Sequence, residues 1–113
     1  MSANLTLILT SVLILITSLI YMIFPPRKIN GIYGYRTNRS MKNQTNWIAA
    51  NKLASFIFVI GSGILVVQRM VFLVFFPHSL KLNALSFIAT LLIVAILTIV
   101  ITEKQLKKLL KNQ

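Results

Sequence analysis

The chain has 113 residues, of which 57% are hydrophobic, and its mean hydropathy is +0.82. It carries 12 Lys and Arg residues against a single acidic residue, so its formal net charge is +11. A water-soluble domain of this length would lack the polar surface to cover itself, which excludes an ordinary globular protein and indicates one membrane domain over residues 1–113.

The same composition restricts the chemistry that the chain can perform. It contains no Cys, one acidic residue (Glu103) and one His (His78). Disulfides are excluded, a catalytic pair of carboxylates cannot be built, and a multi-ligand metal site lacks ligands. We therefore predict that the protein is not an enzyme and holds no cofactor or metal, since catalysis would depend on Arg, Lys, Tyr and hydroxyl groups alone.

The first predicted element is a transmembrane helix over residues 5–24, a run of about twenty residues without a charge. At about 1.5 Å per residue, this length matches a hydrocarbon core about 30 Å thick. Two consecutive prolines end the helix, because a prolyl nitrogen cannot donate a hydrogen bond. Asn4, Ser11 and Ser18 recur every seven residues, which favours close contact with another helix, although such hydroxyls also bond back to their own helix.

Residues 25–52 form a basic connector between the first two apolar runs. Six of the 12 Lys and Arg residues lie in it, together with Tyr33, Tyr35 and Trp47 and no acid. Ser40 is a suitable N-cap for a helix that continues without a breaker into the second run. Trp47 is expected at the depth of the membrane interface, where tryptophans are enriched.

The second predicted transmembrane helix covers residues 53–76. Arg69, near its end, has two interpretations. It either extends its charged group to the membrane surface, which is the interpretation we favour, or is a buried functional cation, because charges inside a membrane are costly. Two neighbouring rows of small and polar residues are expected to face other helices rather than lipid. The rows are Ala54, Gly61 and Gln68, and Ser55, Ser62 and Arg69.

A short turn at residues 77–79 includes His78, which we interpret as an ordinary loop residue. It leads to a third predicted transmembrane helix over residues 84–101, for which Asn83 is a candidate N-cap. Hydroxyl side chains recur along this helix at multiples of four and indicate a second helix-facing stripe. They are Ser86, Thr90, Thr98 and Thr102.

The tail, residues 102–113, has the pattern of a basic amphipathic helix. Leu106, Leu109 and Leu110 share one helical face, and four lysines cover the rest. Such a helix is suited to lie along an anionic membrane surface, and binding to a protein partner is the alternative.

Together these elements predict an all-α integral membrane protein with three transmembrane helices, a basic connector and an amphipathic C-terminal helix. Three spans put the connector and the tail on one side of the membrane. That side carries ten of the 12 Lys and Arg residues, whereas the other carries Lys81 and, near its edge, Arg69. The positive-inside rule therefore predicts a multi-pass membrane protein with a cytoplasmic connector and C-terminus and an external N-terminus.

The connector resembles the signature of the SdpI/YfhL family of bacterial membrane proteins. The resemblance lies in the run PPRKINGIYGYRTNRSMKNQTNWIAANK, about a quarter of the chain. The order of residues is too particular for a generic segment beside a membrane. The matching residues are Asn30, Gly31, Tyr33, Gly34, Tyr35, Arg36, Thr37, Arg39, Ser40, Met41, Lys42, Asn43, Trp47, Ala50 and Asn51.

This resemblance implies a function. The best-known member of the family protects a toxin-producing Gram-positive cell from its own secreted peptide toxin. It also acts as a receptor that holds a transcriptional repressor at the membrane. The chain is therefore expected to be an immunity or resistance protein whose partners are a peptide toxin and, in signalling, a transcriptional repressor. The alternatives are a small transporter and a membrane protein that binds anionic lipids without a signalling role.

Ten residues of the connector are the candidate binding site for a ligand or partner. Arginine forks suit a carboxylate or phosphate, aromatic rings supply flat faces with polar tips, and amides and hydroxyls add neutral hydrogen bonds. The alternative is that the arginines only set the orientation and the aromatic residues form an interfacial belt; the resemblance favours binding. The candidates are Asn30, Tyr33, Gly34, Tyr35, Arg36, Thr37, Arg39, Ser40, Trp47 and Asn51.

Two further predictions concern partners. A sequence pI near 10.9 is typical of nucleic-acid-binding proteins. The basic residues cluster beside apolar spans, however, where the positive-inside rule accounts for them, so no direct nucleic-acid binding is predicted. Anionic lipids are the expected partners of these cations, and the rows of small residues would allow a homo-oligomer.

Overall fold

The computed structural model, which describes residues 3–113, contains three α-helices and, within that range, no β-strand. They are α1 (Ala3–Ile23), α2 (Gln44–Phe75) and α3 (Leu80–Lys111). All three are long and apolar enough to cross a membrane, so the predicted all-α fold with three transmembrane helices is confirmed.

The helices form an elongated bundle that measures 53 × 23 × 19 Å. α2 lies in the middle and packs along both α1 and α3, which touch each other over a smaller contact. One end of the bundle, the connector end, holds residues 24–43 and the C-terminus of α3. The opposite end, the turn end, holds residues 76–79 and the start of α1, where the Asn4 amide donates a hydrogen bond to the Pro77 carbonyl at 2.8 Å.

The start of α2 differs from the prediction. The helix begins at Gln44, and its N-cap is Asn43, whose side-chain oxygen accepts a hydrogen bond from the backbone N–H of Asn46 at 2.8 Å. Ser40, the predicted N-cap, lies in the preceding turn instead. The prediction was wrong because the Ser40 hydroxyl is bonded within its own turn, as described below, so the next residue able to cap is Asn43.

The start of α3 also differs. The helix begins at Leu80, and its N-cap is Ser79, whose hydroxyl accepts a hydrogen bond from the backbone N–H of Leu82 at 3.3 Å. Asn83, the predicted N-cap, lies one turn inside the helix. Its side-chain amide donates to the carbonyls of Phe76 and Ser79, both at 2.8 Å, and so ties the turn to the helix.

The tail is helical, as predicted, but it continues α3 as far as Lys111 without a break. Nothing in this stretch interrupts the helix, because it lacks Gly and Pro. Leu106, on the apolar face of the tail, is fully buried in the bundle. The last residue, Gln113, donates its side-chain amide to the Asn46 side chain at 2.9 Å. The tail is thus held against the start of α2.

The buried side chains of the described residues are mostly polar. Eleven polar or charged residues are buried, against five hydrophobic ones. Most large apolar side chains of the three helices instead face outward, as expected where lipid replaces water as the solvent. The helices are therefore packed through small and polar groups. The buried hydrophobic residues are Trp47, Ala50, Ala54, Leu65 and Leu106.

The small polar residues that recur every seven positions on α1 fit both interpretations, close contact with another helix and hydrogen bonds back to α1 itself. Ser11 and Ser18 are buried in the bundle. Their hydroxyls also donate to the carbonyls of Ile8 at 2.7 Å and Ile14 at 2.8 Å within α1. A hydroxyl bonded in this way occupies little space and leaves no unsatisfied group at the helix contact.

The two predicted rows on α2 face the neighbouring helices, since all of their members except the half-buried Gln68 are buried. The closest approach to α3 is at Gly61. A Cβ atom built there would lie 2.7 Å from both γ-methyl carbons of Val94. Only glycine permits this contact as it stands, because real Cβ atoms do not approach other carbons so closely.

Candidate functional site

The candidate site is the connector, which folds onto one end of the bundle, and Trp47 holds its first part in place. Trp47 lies one turn into α2 and is fully buried. Its indole Nε1 donates a hydrogen bond of 2.6 Å to the carbonyl of Pro26, which is itself buried. The depth of Trp47 at the membrane interface stays a prediction, but the indole is not exposed as part of an aromatic belt, because it packs under the connector and its polar atom is paired there.

Asn51, one turn further along α2, joins three parts of the chain. Its side-chain oxygen accepts hydrogen bonds from the Tyr21 hydroxyl of α1 at 2.6 Å and from the Tyr35 backbone N–H at 2.7 Å. Its side-chain nitrogen donates to the Trp47 carbonyl at 2.9 Å. Asn51 is buried, so these bonds are made away from solvent and leaving one unmade would be costly.

The chain passes close to Asn51 at Gly34, and this passage requires glycine. Gly34 has a φ of +107°, a conformation that other residues rarely adopt. A Cβ atom there would lie 2.5 Å from the Asn51 side-chain oxygen and 2.6 Å from Cγ of Pro26. Gly34 therefore has a positioning role: it brings the Tyr35 amide within reach of Asn51.

The middle of the connector is a turn closed by Ser40 and Thr37. The Ser40 hydroxyl accepts the Thr37 backbone N–H at 2.8 Å and lies 3.0 Å from the Tyr35 carbonyl, to which it donates. The Ser40 backbone N–H donates to the Thr37 hydroxyl at 3.1 Å. The Asn46 amide, from the first turn of α2, donates to the Arg39 carbonyl at 3.0 Å and so fixes the turn to the helix.

Glu103 of α3 is the second anchor of the connector. The Tyr35 hydroxyl donates to one carboxylate oxygen at 2.9 Å, and Arg39 donates to the other at 3.0 Å. The latter contact is also an ion pair, in which the arginine side chain remains partly exposed. The only acidic residue of the chain therefore joins the connector to α3.

The electrostatics of this anchor favour a charged Glu103, which lies beyond the apolar run that ends at residue 101. Burial acts to raise the pKa of Glu103, but hydrogen bonds from Thr37, Arg39 and Tyr35 outweigh it and hold the pKa below its ordinary value. Burial and the adjacent carboxylate raise the pKa of the Tyr35 phenol, which therefore stays protonated and keeps donating.

The first part of the connector is stabilised by Asn30. Its side-chain oxygen accepts the backbone N–H groups of Ile32 at 2.9 Å and Tyr33 at 2.7 Å, which makes a tight local turn. The Tyr33 hydroxyl donates to the Phe24 carbonyl at 3.0 Å, and its ring packs edge-on against Tyr21 with the centroids 5.7 Å apart.

A few connector side chains remain open to a partner. Ile32 is 92% exposed, although it is a large apolar residue, and the neighbouring Tyr33 is 41% exposed. Arg36 is also exposed, and its guanidinium donates to the Gly31 carbonyl. These three residues form what we call the exposed loop patch (Ile32, Tyr33 and Arg36).

The structure thus separates the ten predicted site residues into two groups. Eight of the ten make contacts that position the connector. The other two, Tyr33 and Arg36, belong to the exposed loop patch. The sequence analysis did not identify the hydrogen-bond partners of these residues. Glu103 could have been identified as a partner, because it is the only acidic residue among 12 cations. The positioning group is Asn30, Gly34, Tyr35, Thr37, Arg39, Ser40, Trp47 and Asn51.

Arg69 of α2 forms a separate polar cluster near the turn end. It is only 2% exposed, so the interpretation that it extends to the membrane surface was wrong. Its guanidinium donates to the Asn83 carbonyl at 2.8 Å, to the Gln68 side-chain oxygen at 3.0 Å and to the Ser86 hydroxyl.

Aromatic rings complete this cluster. The Arg69 guanidinium carbon lies 5.0 Å from the Phe72 ring centroid and 6.0 Å from that of Phe87, within the range of cation–π contacts. The only carboxylate side chain of the sequence, that of Glu103, is bonded at the opposite end of the bundle. The positive charge of Arg69 is therefore stabilised by oxygen dipoles and aromatic rings rather than by the Glu103 carboxylate.

Comparisons with known proteins place these features in a family context. The family described as the SdpI/YfhL protein family matches residues 27–102, which include the connector except its first two residues, all of α2 and most of α3. The uncharacterized protein YfhL of Bacillus subtilis (strain 168) is 34% identical over 104 residues, which cover 89% of this chain and 86% of that protein. No solved structure matches the chain significantly.

Proposed function

The chain belongs to the SdpI/YfhL protein family of membrane proteins, and from this premise we propose that it protects a bacterial cell against a secreted, membrane-active peptide toxin. The best-known member of the family has such an immunity role. The proposal is supported by the match over residues 27–102, which includes the residues that build the connector.

The observation that carries the proposal is the attachment of the connector to all three helices. Asn51 of α2 and Glu103 of α3 each accept a hydrogen bond directly from Tyr35 of the connector. Tyr21 of α1 is joined to the connector through Asn51. A toxin that contacts the helices within the bilayer therefore meets a bundle whose three helices the connector ties together at one end. Protection then results from binding the peptide along this bundle before it damages the membrane.

The charge distribution supports an orientation for this role. The connector end carries ten of the 12 Lys and Arg residues, and the turn end holds Lys81 and the buried Arg69. The positive-inside rule favours a cytoplasmic connector and C-terminus with an external N-terminus. The external face would then be the turn end, where a secreted peptide arrives.

Survival of a toxin-sensitive bacterial strain tests the proposal. Expression of the chain is expected to raise survival when the strain is exposed to peptide toxins of producers that encode a related protein. Asn51→Ala is expected to abolish protection, because it removes the bonds that hold the connector to α1 and α2. Asn38→Ala, a matched change of an exposed connector residue, is expected to retain it. Equal survival with and without the chain, against every such toxin, would overturn the proposal.

A second candidate function is favoured by the exposed loop patch. An apolar residue that is 92% exposed, beside an exposed tyrosine and arginine, is a typical anchor for another protein. We propose that a transcriptional repressor docks here when the chain acts as a receptor. A fluorescent repressor encoded beside the gene should then accumulate at the membrane with the wild-type chain and stay on the nucleoid with Ile32→Ser and Arg36→Ala. A repressor that never leaves the nucleoid contradicts this role but not the immunity role.

A further inference from the structure

A groove runs along the connector end between the C-terminus of α1, the first turns of α2 and the last turns of α3. It has a volume of about 1200 Å³ and is open on one side. α2 lies in the middle of the bundle, and part of its face between α1 and α3 lines the groove. Its apolar lining includes Met22, Ile23, Ile48, Leu53, Phe56 and Ile101.

Four cations line the same groove. They are Arg27 of the connector, Lys52 of α2, and Lys104 and Lys108 of α3, and all four are exposed. None of the described residues that line the groove is acidic. Its formal charge is therefore +4, without a counterion from the chain.

The positions of these side chains follow from helical spacing. Lys104 and Lys108 are four residues apart on α3, with Ile101 before them, so the three share a face. On α2, Lys52 lies between Ile48 and Phe56 at the same spacing of four. Along both helices, the residue nearest the middle of the bundle is apolar and a lysine follows it toward the connector end.

From this arrangement of apolar and basic side chains, we propose that the groove is a binding site for an anionic phospholipid. The phosphate of the headgroup lies among Arg27, Lys52, Lys104 and Lys108, and an acyl chain lies against Phe56 and Ile101. A groove with only charges would suit any anion, and one with only apolar groups any lipid. The combination selects a molecule with an anionic head and an apolar tail, and the surrounding membrane supplies one. This inference does not depend on the immunity role.

The site differs from general attraction of a basic tail to an anionic membrane. The tail carries four lysines, of which Lys104 and Lys108 line the groove and Lys107 and Lys111 do not. All four are exposed and lie on the same helix. General attraction would depend on their number, whereas a binding site depends on which two are removed.

Native mass spectrometry of the purified full chain in detergent tests this difference. Phosphatidylglycerol is titrated against wild-type chain, the groove variant Lys104→Gln/Lys108→Gln and the control variant Lys107→Gln/Lys111→Gln. We expect one phosphatidylglycerol to bind the wild-type and control chains with similar affinity. The groove variant is expected to bind it about 30-fold more weakly, because two of the four basic contacts are lost. Both variants replace exposed side chains, and equal melting temperatures verify that they fold alike.

Two competitors test the assignment to a lipid. Glycerol phosphate has the anionic head without the chains, and zwitterionic phosphatidylcholine has the chains without a net charge. Neither is expected to displace phosphatidylglycerol at equal concentration. Equal weakening in both double variants would overturn the proposal in favour of general charge attraction. Displacement by glycerol phosphate would overturn it in favour of a simple anion site, and retained affinity in the groove variant would also contradict it.

Discussion

At the scale of single residues, the polar atoms of the connector signature are mostly used within the chain. Asn51 makes three hydrogen bonds, and Ser40 bonds both its backbone N–H and its hydroxyl within one turn. The specific order of residues in this stretch therefore has a structural reason beside any recognition that it performs. Side chains with no such task, such as Ile32, are the better targets for studies of partner binding.

Gly34→Ala tests the passage beside Asn51. The new methyl group would lie within 2.6 Å of Pro26 and Asn51 at a positive φ, so we expect a loss of about 2 kcal/mol or more in the free energy of unfolding. The matched change is Gly31→Ala, where no atom lies within 4 Å of the added carbon. It is expected to change the free energy by less than about 0.5 kcal/mol. Unfolding in detergent micelles by increasing dodecyl sulfate measures both, and equal losses would contradict the argument.

The depressed pKa of Glu103 predicts a pH dependence. A group whose pKa is lower in the folded state contributes stability above its unfolded pKa, about 4.3, and this contribution is lost as the pH falls through the folded value. We therefore expect acidification below about pH 4 to loosen the connector in the wild-type chain.

Hydrogen exchange of the connector amides in micelles, at matched intrinsic exchange rates, measures this effect. The protection of residues 30–40 should fall on acidification in the wild-type chain and change much less in Glu103→Gln, which has no carboxylate to protonate. Equal loss of protection in the two proteins would show that another group controls the transition.

At the scale of helices, the contact between α2 and α3 depends on a glycine and a valine. Gly61→Ala and Gly63→Ala both gain helix propensity, which by itself stabilises by about 1 kcal/mol. Only Gly61→Ala places a carbon 2.7 Å from the γ-methyl carbons of Val94, since the space at Gly63 is open. We expect Gly61→Ala to be about 1–3 kcal/mol less stable than Gly63→Ala in the same micelle assay.

A double variant separates this clash from other effects. Adding Val94→Ala to Gly61→Ala should recover part of the loss, because the two methyl groups that collide are removed. Adding Val94→Ala to Gly63→Ala should only destabilise, since it removes packing without relieving a clash. The absence of any difference between the two backgrounds would contradict the proposed contact.

The helices also illustrate what could be predicted from the sequence. Apolar runs of suitable length and a pair of prolines predicted three helices, and rows of small residues predicted the buried faces of α2. The N-caps at Ser40 and Asn83 were wrong because several polar residues near each helix start can cap, and the choice depends on which are already bonded in the turn. The burial of Arg69 could not be predicted, because its guanidinium is bonded to oxygens of Asn83 and Ser86, and these come close to it only when α3 packs against α2.

At the scale of the whole molecule, the chain is a multi-pass membrane protein whose connector and C-terminus share one end. Its lack of Cys makes single-cysteine labelling direct. In intact cells, a membrane-impermeant maleimide should label His78→Cys at the turn end, and Asn38→Cys should react only after permeabilisation. Both positions are exposed, so they differ only in the side of the membrane. Labelling of Asn38→Cys in intact cells would reverse the proposed orientation.

The buried guanidinium of Arg69 places a positive charge within the predicted second transmembrane span, so we expect the membrane potential to act on it. Arg69 lies six residues before Phe75, the last residue of α2, or about 9 Å along the helix axis. Its guanidinium is held there by hydrogen bonds to Asn83 and Gln68. A full crossing is worth about 2.3 kcal/mol per 100 mV, so a charge part of the way across experiences a fraction of that energy. We therefore expect a collapse of the membrane potential to change the force on the contact between α2 and α3 near Arg69.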